Sequence, residues 1–157
     1  MNIEIVEARK RHLRIIQQHL TPGDRAEIEA LALTPEEALY RGLDISQECK
    51  VALVDDRPAC VFGLAHGPAE AEHEIMVPWM LSSDLVFKSP YRLVKAARDV
   101  VWEWHQKHVW LINTVHAKNV KAQQFIESVG FEFRDDVSNV IHPETGEEFI
   151  PFVLYGG

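Results

Sequence analysis

Cysteine is scarce: Cys49 and Cys60 are the two in the chain. Two are too few for a disulfide framework, so the sequence predicts reduced thiols and a reducing compartment. Basic residues are outnumbered, with Lys+Arg 16 against Asp+Glu 24 and a formal net charge of -8. That balance counts against generic nucleic-acid or anionic-membrane binding, which rests on a dominant basic face. No apolar run approaches membrane-spanning length, and the opening MNIEIVEARK does not read as a signal peptide, so a cytoplasmic protein is expected. Glycine is the most informative shortage. None of the eight lies between Gly67 and Gly130, so the middle of the chain holds no Gly-rich phosphate loop. Ser/His/Asp elbows and Walker loops are also absent. What is present is 157 residues with 46% hydrophobic content, enough for one domain over residues 1–157 with a real core.

Periodicity then divides the chain. Ile3 to Val6 reads as a short strand, and Lys10 to Leu20 as a helix with Leu13, Ile16 and Leu20 on one face. Lys10, Arg11 and Arg14 form its basic outer face. Thr21-Pro22-Gly23-Asp24 breaks the pattern, and Asp24 is expected to cap a helix over Arg25 to Leu33. Thr34-Pro35-Glu36-Glu37 opens a third helix, expected to end near Gly42. Cys49 to Asp55 and Pro58 to His66 alternate as a hairpin around Asp56-Arg57, with Val51, Leu53, Val61 and Leu64 inward and Cys60 opposite Leu53. A strand over about Glu74 to Ser82 follows, then a helix over Tyr91 to Gln106 behind Ser89 and Pro90. Its apolar face carries Leu93, Ala97, Val100, Val101 and Trp104, with Trp102 off the stripe. Val109 to Val115 reads as a buried strand, and Asn119 as the cap of a helix that buries Ala122, Phe125, Ile126 and Val129 and stops at Gly130. Phe131 to Asp136 and Phe149 to Tyr155 complete the set.

This order, with Asn119-Val120-Lys121-Ala122 running to Val129-Gly130-Phe131, resembles the GNAT family of N-acetyltransferases. That family marks its fourth helix with an Asn, an Ala three residues later and a closing Gly-Phe. The resemblance covers nearly the whole chain. It implies an α/β fold with a mixed, mainly antiparallel sheet, a central parallel β-α-β unit and helices on both faces. A narrower similarity is to the small GNAT-like proteins of short-tailed lytic phages. It lies in Trp79-Met80-Leu81-Ser82-Ser83-Asp84, in Val109-Trp110-Leu111-Ile112-Asn113, and in Phe125 five residues before the glycine. It implies a phage protein of the host cytoplasm or the virion, with a host or phage protein as partner.

The resemblance further implies acetyl-CoA bound where the fourth and fifth strands splay. Leu81, Ser82 and Ser83 would lie along the strand end, and Asn119 and Phe125 on the facing helix. The family places an Arg/Gln-x-x-Gly-x-Gly/Ala turn on the pyrophosphate. Here Val86-Phe87-Lys88-Ser89-Pro90-Tyr91-Arg92 carries no glycine, and Pro90 removes one N–H donor. Phe87, Lys88, Ser89 and Arg92 are the residues left to hold the nucleotide end, aided by the helix dipole. A tyrosine acid is common four residues before the closing glycine, and Ile126 stands there. Two side chains are candidate bases. His116, at the exit of the fifth strand, is of the type that titrates nearest neutrality, and Glu74 opens the fourth strand.

Eight histidines offer no recognised ligand spacing, so no metal is expected, and His105 and His108 are read as charge at a helix C-terminus. Three functional readings follow, two of them tied to the resemblance. One is an acetyl-CoA-dependent N-acetyltransferase acting on a host protein amine. The other is a non-catalytic assembly, virion or host-binding protein that keeps the fold. A plain adaptor working through the first helix or Trp102 is a third. Oligomeric state is left open.

Overall fold

The computed structural model describes residues 2–88 and 90–155. Eight strands form one sheet: β1 (Ile3–Glu7), β2 (Ser46–Val54), β3 (Arg57–His66), β4 (Ile75–Ser82), β5 (Trp110–His116), β6 (Glu132–Phe133), β7 (Val140–Ile141) and β8 (Glu148–Tyr155). The spatial order is β1-β2-β3-β4-β5-β8-β6, with β7 also on β8. Every pairing is antiparallel except β4 with β5. Among the described residues five α-helices, α1 (Lys10–Gln18), α2 (Pro22–Ala30), α3 (Pro35–Ile45), α4 (Pro90–Lys107) and α5 (Val120–Ser128), and a 3-10 turn over Asp84–Lys88 complete the fold. No helix among the described residues is long and apolar enough to cross a membrane.

The sheet is covered on both faces, which is why β3 is buried along nearly its whole length. On one face Leu13, Ile16, Ile28 and Leu39 from α1–α3 pack on Val51 and Val61. On the other, Leu93, Ala97, Val101 and Trp104 from α4 pack on Leu64, Met76 and Leu111. Trp102 is 62% exposed, as its position off that stripe requires. Cys49 belongs to the first layer and Cys60 to the second, so the two thiols face opposite sides of the sheet. Burial pushes the Cys49 thiol up to about 11 and raises that of Cys60 further.

Several boundaries differ from the sequence expectation, each for a physical reason. Thr21, not Asp24, caps α2: its Oγ1 accepts from Asp24 N at 3.2 Å, and Pro22 takes the first helical position. α1 stops before Leu20 because Leu20 bridges to Ser83 and Thr21 N donates to Ser82 O, engaging backbone that another helical turn would need. The hairpin turn is Asp55-Asp56, both at positive φ (48° and 66°), with Val54 opposite Arg57. An irregularity between Ala52 and Leu53 sets Cys60 opposite Ala52 rather than Leu53. β6 keeps two residues of the expected six, and β7 was not foreshadowed. The cap expected at Ser89 lies outside the described residues.

α3 runs through Gly42 instead of ending there, and Trp79 explains why. A Cβ on Gly42 would stand 2.6 Å from the Trp79 ring, and one on Gly63 would stand 2.0 Å from its Nε1. Two glycines thus seat the indole, whose N–H donates to Ser46 Oγ at 2.8 Å. Gly63→Ala is expected to displace the ring and cost about 1–3 kcal/mol, as overpacking does, read as a lower denaturation midpoint.

Candidate functional site: a splayed strand pair with two buried acids

β4 and β5 pair at Ile75–Trp110 and Met76–Leu111 and then separate. Pro78 accounts for the break. Its carbonyl faces β5, where it accepts from Asn113 Nδ2 at 2.7 Å. The same edge of the residue should carry the next N–H, and proline has none. Beyond it a cavity of about 350 Å³ passes between the strands, walled by Trp79 and Leu81 of β4, Thr114 of β5, Ile28 of α2 and Ile126 of α5. A second cavity of about 700 Å³ lies between the start of α4 and α5, bordered by Phe87, Val94, Asn119, Lys121 and Phe125. Asp24, Met80, Ala122 and Phe125 border both, so the cavities meet there. This corrects one expectation: no residue of α5 is fully buried, because Ala122, Phe125 and Ile126 face these cavities.

α2 delivers two carboxylates, Asp24 at the junction and Glu27 on the cleft side. Asp24 and Glu27, three residues apart, share one face of the helix. Asp24 is 8% exposed. Its Oδ2 accepts from Ser82 N at 2.9 Å and its Oδ1 from Asn119 Nδ2 at 3.0 Å. Glu27 is half-buried, and its Oε1 accepts from His116 N at 3.0 Å and from Asn119 Nδ2 at 3.2 Å. One amide therefore serves both acids. Burial raises both carboxyls above their ordinary range. The hydrogen bonds oppose that rise, while the Asp24 charge adds to it at Glu27. Close approach is needed for this contact, since a Cβ on Gly23 would stand 2.5 Å from Asn119 Oδ1.

The sequence-predicted residues fall in different places. Leu81 walls the cleft, and Ser82, Phe87, Asn119 and Phe125 border the larger cavity. Lys121 Nζ sits 4.0 Å from the Phe87 ring centroid at its mouth. Ser83 is turned away: its Oγ donates to Pro58 O at 3.1 Å and borders neither cavity. Lys88 and Arg92 are exposed beside the start of α4. Ser89 lies outside the described residues.

His116 is buried behind the junction and borders neither cavity. Its Nε2 lies 2.9 Å from Glu147 Oε1, and because a carboxylate only accepts, Nε2 carries the proton. The same carboxylate lies 3.4 Å from Lys118 Nζ. Through its backbone N–H, His116 holds Glu27. Glu74 is exposed at the opposite end of the strands, with Oε1 2.7 Å from His108 Nδ1. By strand rise it lies about 20 Å from His116, so the structure does not bring the two together.

The residues that sequence reasoning missed are Asp24, Glu27, Asn113 and Lys121. One signal was present. Thr21-Pro22-Gly23-Asp24 repeats the form of Thr34-Pro35-Glu36-Glu37. Glu37 reaches back to Thr34 N at 3.1 Å, closing a capping box. Asp24 is one methylene shorter and reaches across the fold instead.

No family model and no curated protein matches the chain. Solved structures do. An aminoglycoside N(6')-acetyltransferase from Legionella pneumophila aligns with a TM-score of 0.69 at 11% identity, covering 99% of this chain and 94% of that one. An aminoglycoside acetyltransferase solved in complex with coenzyme A gives 0.68 at 14% identity, over 98% of this chain and 95% of the other. A GCN5-related N-acetyltransferase from Kribbella flavida gives 0.65 at 15% identity, over 98% and 97%. At these identities the likeness shows the fold: a mixed sheet, mostly antiparallel, with β4 and β5 parallel and helices on both faces.

Proposed function

We propose that this chain, which has the fold of GNAT acetyltransferases, is an N-acyltransferase that uses acetyl-CoA as donor and an amine as acceptor. The observation that carries the reading is the parting of β4 and β5 into a cleft that runs into the larger cavity at the start of α4. The lining fits such a donor. Met80, Val94 and Phe125 offer an apolar path for the pantetheine arm; Lys121 brings positive charge beside Phe87, and Lys118 adds what its pairing with Glu147 leaves. Between Val86 and Arg92 no glycine exposes backbone N–H groups, so the phosphate grip rests on these side chains. The donor supplies an acetyl thioester: a C–N bond forms, an N–H bond and the C–S bond break, the amine proton ends on the thiol, and an acceptor that arrives as ammonium releases one further proton to water. Ile126 offers no proton there, so no side-chain acid is assigned.

Calorimetric titration with acetyl-CoA tests the reading, and no heat at millimolar ligand would overturn it. Lys121→Glu is expected to weaken acetyl-CoA about tenfold and to leave S-acetylpantetheine, which lacks the nucleotide, unchanged.

The narrower kinship with phage proteins, a host or phage protein partner and a cytoplasmic location belong to this proposal. The kinship and the partner rest on the Trp79–Asp84 and Val109–Asn113 segments and on Phe125, and the location also on the scarcity of cysteine. A second reading, a non-catalytic protein-binding member of the fold, is favoured by Trp102, 62% exposed on α4. Acetyl transfer to any amine would refute it.

A further inference from the structure

The cleft has a side that the donor leaves free. Facing α2 and α3, it is walled by Ile28, Leu31, Leu33, Ile45 and Trp79, with Leu31 and Ile45 exposed at the rim. Its charged lining is four groups. Glu37 and Arg41 pair at 3.6 Å across one helical turn, so their charges largely cancel at the mouth. Asp24 stands where the two cavities meet, and Glu27 lines this cleft alone. Asp24 has both oxygens engaged, by Ser82 N and by Asn119. At Glu27 both donors converge on Oε1, and Oε2 accepts neither of them.

We infer that this side of the cleft is the acceptor subsite, and that it takes a primary amine on an apolar body whose ammonium is received by Glu27. The inference rests on the acyltransferase reading and narrows it. Charge complementarity selects a cation, because the unneutralised groups inside are both acids. The apolar wall selects its body, since about 25 cal/mol is gained per Å² of apolar surface removed from water. A second cation on the ligand would find Asp24 with both oxygens already engaged and Glu37 already paired with Arg41. Monoamines are therefore preferred over polyamines.

Glu27 is also placed to accept a proton. An N–H bond of the ammonium breaks, its proton passes to Oε2, and the freed lone pair becomes available to the thioester carbon; Glu27 returns the proton to water. Burial raises the Glu27 carboxyl, which brings it closer to that task than an ordinary surface carboxyl. His116 is then a positioning residue. Its ring is fixed by Glu147, and its backbone N–H orients Oε1 so that Oε2 is presented.

The test titrates the protein, without acetyl-CoA, with 2-phenylethylamine, with 2-phenylethanol as the neutral analogue and with spermine as the polycation. Expected is binding of the amine, at least about tenfold weaker binding of the alcohol and of spermine, and loss of that preference in Glu27→Gln. Circular dichroism confirms that the variant is folded, and Glu27→Asp is expected to restore part of the preference. Equal binding of amine and alcohol, tighter binding of spermine, or an unchanged preference in Glu27→Gln would each overturn the inference. A parallel titration with acetyl-CoA keeps the two readings apart. Donor binding without amine preference sinks the acceptor subsite alone. Amine preference without donor binding sinks the acyltransferase reading and leaves an amine-binding cleft.

Discussion

Asn119→Ala is expected to lower the unfolding free energy by about 3–5 kcal/mol at pH 7, and by far less near pH 4. Asn119 is 4% exposed, and its single amide nitrogen donates to Asp24 Oδ1 and Glu27 Oε1. Each hydrogen bond to a charged group contributes roughly 1.5–3 kcal/mol, and stranding a buried carboxylate costs more than deleting both partners. The α5 cap, from Asn119 Oδ1 to Ala122 N at 3.4 Å, is a smaller loss.

The pH dependence follows from the direction of the shifts. Desolvation raises both folded-state carboxyls above their ordinary 3.8 and 4.5. A group raised in this way favours folding fully below its unfolded value and loses that contribution as pH rises through its folded value. Asn119 opposes the rise by favouring the ionised forms, so its removal lifts both values further. The variant therefore tracks the wild type where the acids are protonated and falls away from it as they ionise. Chemical denaturation between pH 4 and pH 8 measures this. A pH-independent difference would mean that Asn119 acts as a cap and not as the acids' shared donor.

Asn119 was legible in the sequence because a helix start has a local signature, and so was the strand–helix–strand order, whose apolar periods are local too. Leu93, Ala97, Val101 and Trp104 are all buried as their spacing required. The acids were not legible, because what defines them is contact at long range: Asp24 meets residues 58 and 95 positions away. Within its own helix Asp24 reads as a cap, and Glu27 as one more surface charge. His116 stands at the strand exit, yet register alone could not show that its ring turns to Glu147 while its backbone N–H holds Glu27. Glu74 lies apart from the cleft for a directional reason. β4 and β5 are parallel, so the start of one strand and the end of the other lie at opposite edges of the sheet.

Ala122→Trp is expected to weaken acetyl-CoA binding by more than about 100-fold, near 2.7 kcal/mol, while the unfolding midpoint moves by no more than about 3 °C. The reasoning begins with a cost. Ala122, Phe125 and Ile126 lie on the apolar face of α5, yet none is fully buried. A helix packed to ordinary interior density would gain about 1–2 kcal/mol per large side chain from closing those gaps. The gaps persist where Asp24, Met80, Ala122 and Phe125 border both cavities, so an indole at position 122 fills existing space instead of forcing the core apart. It would also plug the passage that the proposed acetyl-CoA donor would take to the cleft. Ala122→Leu is expected to give an intermediate loss, since it narrows the passage without closing it. Isothermal titration of both variants, with thermal unfolding alongside, reads the two effects separately. A folded Ala122→Trp protein that binds acetyl-CoA as the wild type does would show that the donor does not pass this junction, and the cleft between β4 and β5 would lose its assigned role.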